Sequence, residues 1–135
     1  MAASNVYLRP PWWVRRLANP LIARLGLTPT LAVRGRRSGA WRTVPVNVLE
    51  HDGARYLVAP RGQTEWVRNL RAAGGGEIRR RGRAEPFVAV EVPDAEKPPL
   101  IAVYRARWDS QVKDVFTALP DPADHPVFRL RSAQA

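Results

Sequence analysis

The stretch Leu31 to Val46, LAVRGRRSGAWRTVPV, constrains this chain more than any other. A short apolar run enters it, a turn rich in glycine and arginine follows, and an alternating strand leaves it. That pattern predicts a strand–turn–strand unit. Arg34, Arg36, Arg37 and Arg42 crowd this unit beside Gly35, Ser38 and Gly39. A glycine-bearing turn exposes backbone N–H groups, and guanidiniums add forked donors suited to phosphate or carboxylate. The unit reads as an anion cradle, and the alternative is a solvated turn that happens to be basic.

The strands expected around it define an α+β domain. Thr30–Arg34 is the first strand and Thr43–Glu50 the second, with Val44, Val46 and Val48 on one side. His51-Asp52-Gly53 makes a hairpin into Ala54–Pro60, so three strands are expected to run as a meander. Thr64 is a plausible cap for a helix over Glu65–Ala73, which Gly74-Gly75-Gly76 stops. Trp66, Leu70 and Ala73 share one face of it, with Asn69 between them. Strands Glu77–Arg81 and Ala84–Val92 flank a turn at Gly82. Short helices are expected over Pro98–Arg107 and Ser110–Phe116, and Val127–Leu130 is a final strand. Before all of this, Trp13, Leu17, Leu21 and Leu25 recur every four residues among arginines, an amphipathic helix with basic edges. It divides the chain into residues 1–29, helical, and 30–135, a small barrel-like domain. The helix has two roles open to it, capping the barrel or lying on an anionic membrane through residues 10–25.

Composition narrows the chemistry. The chain has no cysteine and two histidines, His51 in a turn signal and His125 between Asp124 and Pro126. Thiolate nucleophiles and the common metal-ligand spacings are therefore missing, and an enzyme built this way takes its hard chemistry from a cofactor. The net charge of +10 is carried almost wholly by arginine, since lysine stands only at positions 97 and 113. Such a surplus points to anionic partners. No apolar run is long enough to span a bilayer and no signal-peptide pattern is present, so a cytoplasmic chain is expected, peripheral on the inner membrane face if the helix docks there.

The order GRRSGAWRTVPV, HDGARYLVAP, EWVRNLRAAG, a strand pair and a terminal HPVF resembles the deazaflavin-dependent nitroreductase family of actinobacterial split β-barrel oxidoreductases, in its compact branch. The likeness runs collinearly from about Thr30 to Leu130. It implies a split β-barrel of the FMN-binding type, with about six mostly antiparallel strands, an N-terminal amphipathic helix and short helices. It implies coenzyme F420, an 8-hydroxy-5-deazaflavin with a phospholactyl and polyglutamate tail. Arg36, Arg37, Ser38, Gly39, Arg42 and Arg61 then fall at positions that hold the phosphate and tail. Trp66 and Asn69 fall near the ring, although helical spacing favours packing for Trp66 and Leu70, and Asn69 has either a loop backbone or the cofactor as its partner. Tyr104, Trp108 and Phe116 correspond to the substrate pocket, the proton has Tyr104, another polar pocket group or water as its source, and no metal is implied.

The function implied is hydride transfer from the reduced coenzyme to a lipophilic, electron-poor acceptor such as a quinone, a nitro compound or an unsaturated acyl molecule. The alternatives are a carrier of deazaflavin or lipid without turnover, and a basic nucleic-acid or membrane-surface protein. No nucleic-acid-binding signature is present, so nucleic acid is not an expected partner, whereas a homodimer is compatible with the sequence.

Overall fold

The computed structural model describes residues 28–133, so the expected helix over residues 10–25 lies outside the described residues. Seven strands follow in chain order: β1 (Thr30–Arg34), β2 (Trp41–Pro45), β3 (Val48–His51), β4 (Ala54–Val58), β5 (Gly75–Arg80), β6 (Arg83–Glu91) and β7 (Val127–Ser132). Two α-helices complete the set, α1 (Glu65–Ala73) after β4 and α2 (Lys97–Ala118) after β6. All pairings are antiparallel, and the strand order is β2-β1-β5-β6-β7-β4-β3.

That order corrects the expected meander. The expected strand Thr43–Glu50 is interrupted at Val46–Asn47, and its two halves lie at opposite edges of the sheet. The first half pairs with β1 and the second with β4. Pro45 has no N–H to give the ladder, and the Asn47 side chain turns away to Tyr104 and Gln111. One run of chain thus edges both ends of the sheet, which must curl to bring those ends within two residues of each other. The result is a curled half-barrel.

Both two-residue hairpins have the chemistry such turns need. Asp52 and Gly53 sit at φ 50° and 76°, and Arg81 and Gly82 at 45° and 80°. Positive φ at both central positions matches the right-handed twist of the flanking strands.

Strand alternation sorts the core into two layers. The concave side holds Leu31, Val33, Leu57, Ile78, Phe87 and Phe128, closed by Val67 and Leu70 of α1. Burying a side chain such as Phe87 is worth about 2–3 kcal/mol. The convex side of β3, β4 and the start of β7 holds Leu49, Val58 and Val127, closed by Leu100, Ile101, Tyr104, Val112 and Phe116 of α2. The two short helices expected after β6 are the two halves of α2, which meet at a kink at Trp108, whose φ of −119° and ψ of 29° are not helical. In α1 the buried apolar members are Val67 and Leu70, while Ala73, expected on the buried face, is exposed.

His125, read from the sequence as a loop residue, is fully buried. It stacks on Phe116 at 4.3 Å, with Nδ1 3.0 Å from the Ala59 carbonyl oxygen and Nε2 2.6 Å from that of Leu119. It ties the end of α2 to the loop that leaves β4.

Candidate functional site

The cradle is a closed turn. Gly35 N–H donates to the Ala40 oxygen at 2.7 Å, and Gly39 N–H donates back to the Gly35 oxygen at 2.9 Å. Gly39 takes φ 76°, which its lack of a Cβ allows. Ser38 Oγ accepts the Ala40 N–H at 3.2 Å, and Arg34 reaches the Gly39 oxygen at 3.1 Å. The Gly39 amide and the Ser38 hydroxyl, both expected to face an anion, are therefore engaged in shaping the loop.

Helix α1 holds the turn from one side. Asn69 is 7% exposed, and its Oδ1 accepts both the Arg36 backbone N–H at 3.1 Å and Arg36 Nη1 at 2.8 Å. Arg36 also pairs with Glu65 at 3.1 Å. Of the two roles open to Asn69, the loop backbone is the one the structure shows. Arg36 is thereby committed to the protein itself. The Arg36 hydrogen bond, aided by the fields of Arg36, Arg68 and Arg37, holds the Glu65 carboxyl below its usual pKa. One carboxylate thus sits among three guanidiniums at the positive end of a helix.

The donors left over are those a ligand could use. Among the described residues, no protein partner is recorded for the Arg37 or Arg42 guanidinium, nor for the backbone amides of Arg37 and Ser38. Arg42 folds over the turn, with Nε 3.5 Å from where a Cβ on Gly35 would stand. Arg61 lies in the loop between β4 and α1, where burial lowers its pKa. Beside it, Thr64 caps α1 with extended backbone but no side-chain bond, and its Oγ1 is buried without a partner among the described residues. A buried hydroxyl with no acceptor is costly unless something else supplies one. The Arg37 and Arg42 guanidiniums, the two open amides and this orphaned hydroxyl are donors of the kind a polyanionic tail takes, so the residues present fit the coenzyme the sequence implied.

Trp66 is half-buried, packed on the concave core and 6.2 Å from the Phe128 ring. Arg71, expected with Arg68 to face solvent or the anionic tail, instead ties α1 to the end of β6 through a forked pair with Glu91 at 2.8 and 2.6 Å, and also reaches Gln63 at 2.5 Å. No periodicity signals a pair between a helix and a strand twenty residues later.

The residues expected to line the substrate pocket lie apart from the cradle. Tyr104, Trp108 and Phe116 cluster with ring centroids 4.8 and 6.4 Å apart, beneath α2 on the convex side of the sheet. The cradle is pinned to α1, which packs on the concave side, so the structure does not bring these two sets of candidates together. Tyr104 is 2% exposed, and its hydroxyl accepts from Asn47 Nδ2 at 3.2 Å. Burial raises its pKa above 10.0, with the Asn47 bond opposing in part. The unfolded chain therefore loses this proton first, so the stability tied to it is complete below about pH 10 and declines above. The melting temperature is expected to fall more steeply above that pH in the wild type than in Tyr104→Phe, as thermal melts at stepped alkaline pH would show.

Among the described residues no three metal-binding side chains converge, and no helix is long and apolar enough to cross a membrane.

The comparisons with known proteins converge on this geometry. A solved F420-H2-dependent reductase (FDR-A) superposes with a TM-score of 0.59 at 21% identity, covering 77% of this chain and 94% of that one. A domain-swapped dimer superposes with a TM-score of 0.59 at 20% identity, covering 91% of this chain and 100% of that one. HutZ, a heme storage protein from Vibrio cholerae, gives 0.58 at 13% identity, covering 86% and 90%. Identities this low establish the split-barrel fold and nothing beyond it. No curated protein matches the sequence. The family model for F420H(2)-dependent quinone reductases, however, matches residues 10–120, most of the chain. The chain belongs to that family, and so is a reductase whose coenzyme is the reduced deazaflavin F420.

Proposed function

We propose that the protein reduces a lipophilic, electron-poor acceptor of the quinone class, with its coenzyme anchored by the turn between β1 and β2. The observation that carries this reading is the division of labour among the turn's arginines. Arg36 is spent on Asn69 and Glu65, whereas no hydrogen bond or salt bridge to a protein group engages the guanidinium of Arg37 on the turn or of Arg42 at the start of β2 among the described residues. Cations left without a bonded partner bind an anion without first breaking a pair. When bound, F420H2 supplies a hydride, so the protein itself needs no thiol, metal or basic histidine.

The chain's own residues bind and orient. Arg37 and Arg42, with the Arg37 and Ser38 amides, hold the anionic tail, and Arg61 and the Thr64 hydroxyl extend that grip toward α1. Trp66 supplies an apolar wall against which the ring side of the coenzyme packs. The proton that accompanies hydride into a quinone comes from water, because Tyr104 is sealed in the other core layer.

Titration with oxidised F420, followed by its fluorescence, tests the anchor. An Arg37→Ala, Arg42→Ala double variant is expected to bind about 100-fold or more weakly, since each charge-assisted bond is worth about 1.5–3 kcal/mol. Equal affinity in the variant would remove the turn from the site. Consumption of F420H2 only after menadione is added would establish turnover, and binding without such consumption would leave a carrier.

A further inference from the structure

Helix α1 grips one limb of the cradle turn, at Arg36, through Asn69. The other limb, Ser38–Gly39, faces open space. Among the described residues nothing lies within 4 Å of where a Cβ on Gly39 would stand. Apart from the turn's own bonds, what reaches this limb is Arg34, whose Nη1 donates to the Gly39 carbonyl oxygen at 3.1 Å.

A lone bond from an exposed arginine to a neutral acceptor does not fix a turn. The side chain gives up several rotatable bonds to make it, and water offers the same hydrogen bond. What orders Arg34 is its partner across the ladder. Trp41 stands directly opposite on β2, and the Arg34 guanidinium lies 4.2 Å from the centre of its ring. A planar guanidinium rests its flat face on an aromatic ring while its in-plane N–H groups stay available, so Arg34 makes both contacts at once. Arg79 of β5 also lies over the Trp41 ring, at 5.0 Å, and Glu77 pairs with it at 2.9 Å. That carboxylate offsets the charge of Arg79, which would otherwise repel Arg34 from the shared ring. Trp41 is 39% exposed, so its ring serves these arginines rather than the core.

We propose that Trp41 is a positioning residue for the coenzyme. Through Arg34 it clamps the Gly39 limb, and so holds Arg37 and the open Arg37 and Ser38 amides in place for the anionic tail. The proposal rests on the reading of this turn as the coenzyme anchor. Apparent affinity scales with the fraction of molecules whose turn already has its binding conformation, and losing the clamp lowers that fraction. The hydride step is untouched, because the clamp reaches no reacting atom.

The test measures F420 affinity, and KM for F420H2 and kcat with menadione, on the full chain. Trp41→Leu is expected to weaken binding and raise KM about fivefold, the worth of an exposed cation–π contact, with kcat unchanged. Trp41→Phe keeps an aromatic face and should recover most of the affinity. Arg34→Lys keeps the charge without the flat fork, so it should lose as much as Trp41→Leu, and the two together no more than either alone. If Trp41→Leu does not fold by circular dichroism, Arg34→Lys carries the same test. Adding Trp41→Leu to the Arg37→Ala, Arg42→Ala double variant should cost little more, since the clamp works through the turn's donors. Unchanged affinity in that double variant would overturn the anchor, and the clamp with it. Weakened binding there with unchanged affinity in Trp41→Leu and Arg34→Lys would overturn the clamp alone. So would a fall in kcat at constant KM, an equal loss in Trp41→Phe, or a full further loss of about fivefold on the double variant.

Discussion

Alanine at Gly75 or at Gly76 is expected to leave little folded protein. A Cβ on Gly75 would stand 2.3 Å from the Phe87 carbonyl oxygen, and one on Gly76 would stand 2.5 Å from that of Ala32. Both obstacles are backbone in neighbouring strands, so relief requires β5 to separate from β6 or from β1. The cost is on the order of 4 kcal/mol or more, a large part of the marginal stability of a domain this size. Gly74→Ala is the control. Gly74 takes φ 77° with nothing within 4 Å of a would-be Cβ, so alanine there costs about 1 kcal/mol of left-handed strain. Thermal melts should therefore rank Gly74→Ala near the wild type and the other two about 15 °C lower, or absent from the soluble fraction. Equal losses at all three positions would show that backbone freedom, rather than contact between strands, requires the glycines.

The same triplet shows what the sequence could and could not disclose. Its helix-stopping role was legible because a C-cap glycine is a local event: the Gly74 N–H returns to the Leu70 oxygen at 2.8 Å within one turn. The role of Gly75 and Gly76 depends on which strands lie beside β5, and no local pattern encodes that. Hairpins at Asp52-Gly53 and Arg81-Gly82 were readable for the first reason. The split of the expected strand Thr43–Glu50 between two sheet edges was hidden for the second. Alternation told that Val44 and Val48 face the same core, and both do. It could not tell that they reach it from opposite edges of a curled sheet.

The site divides along the same line. Arg37 and Arg42 could be nominated because a glycine-rich basic turn is itself a local signal. What singles them out from Arg36 is a contact 33 residues away, the grip of Asn69 on the Arg36 amide. Tyr104, Trp108 and Phe116, which the resemblance grouped together, do form one cluster, but the sheet topology puts it behind the opposite face. Fold class followed from periodicity and turns, whereas the composition of the site followed from topology.

Asn69→Leu should therefore weaken coenzyme binding without Asn69 having to touch the coenzyme. Leucine matches asparagine in size but accepts nothing, so the Arg36 amide and Nη1 both lose their acceptor in a partly buried place. Two bonds, one of them to a charged group, predict a stability loss of about 2–3 kcal/mol. Once the turn is free to move, Arg37 and Arg42 must be ordered by the ligand, and affinity for F420 should fall about tenfold, the cost of ordering one or two long side chains. Asn69→Asp separates positioning from contact. Its carboxylate still accepts both Arg36 bonds, and more strongly, so a positioning role predicts affinity close to the wild type. A residue that instead donated its amide N–H to an anionic ligand would lose as much or more in Asn69→Asp as in Asn69→Leu, because aspartate adds repulsion. Hydrogen exchange gives an independent reading, since the Arg36 amide should exchange faster in Asn69→Leu and stay protected in Asn69→Asp. Matching losses of affinity in the two variants would make Asn69 a ligand rather than the clasp of the cradle.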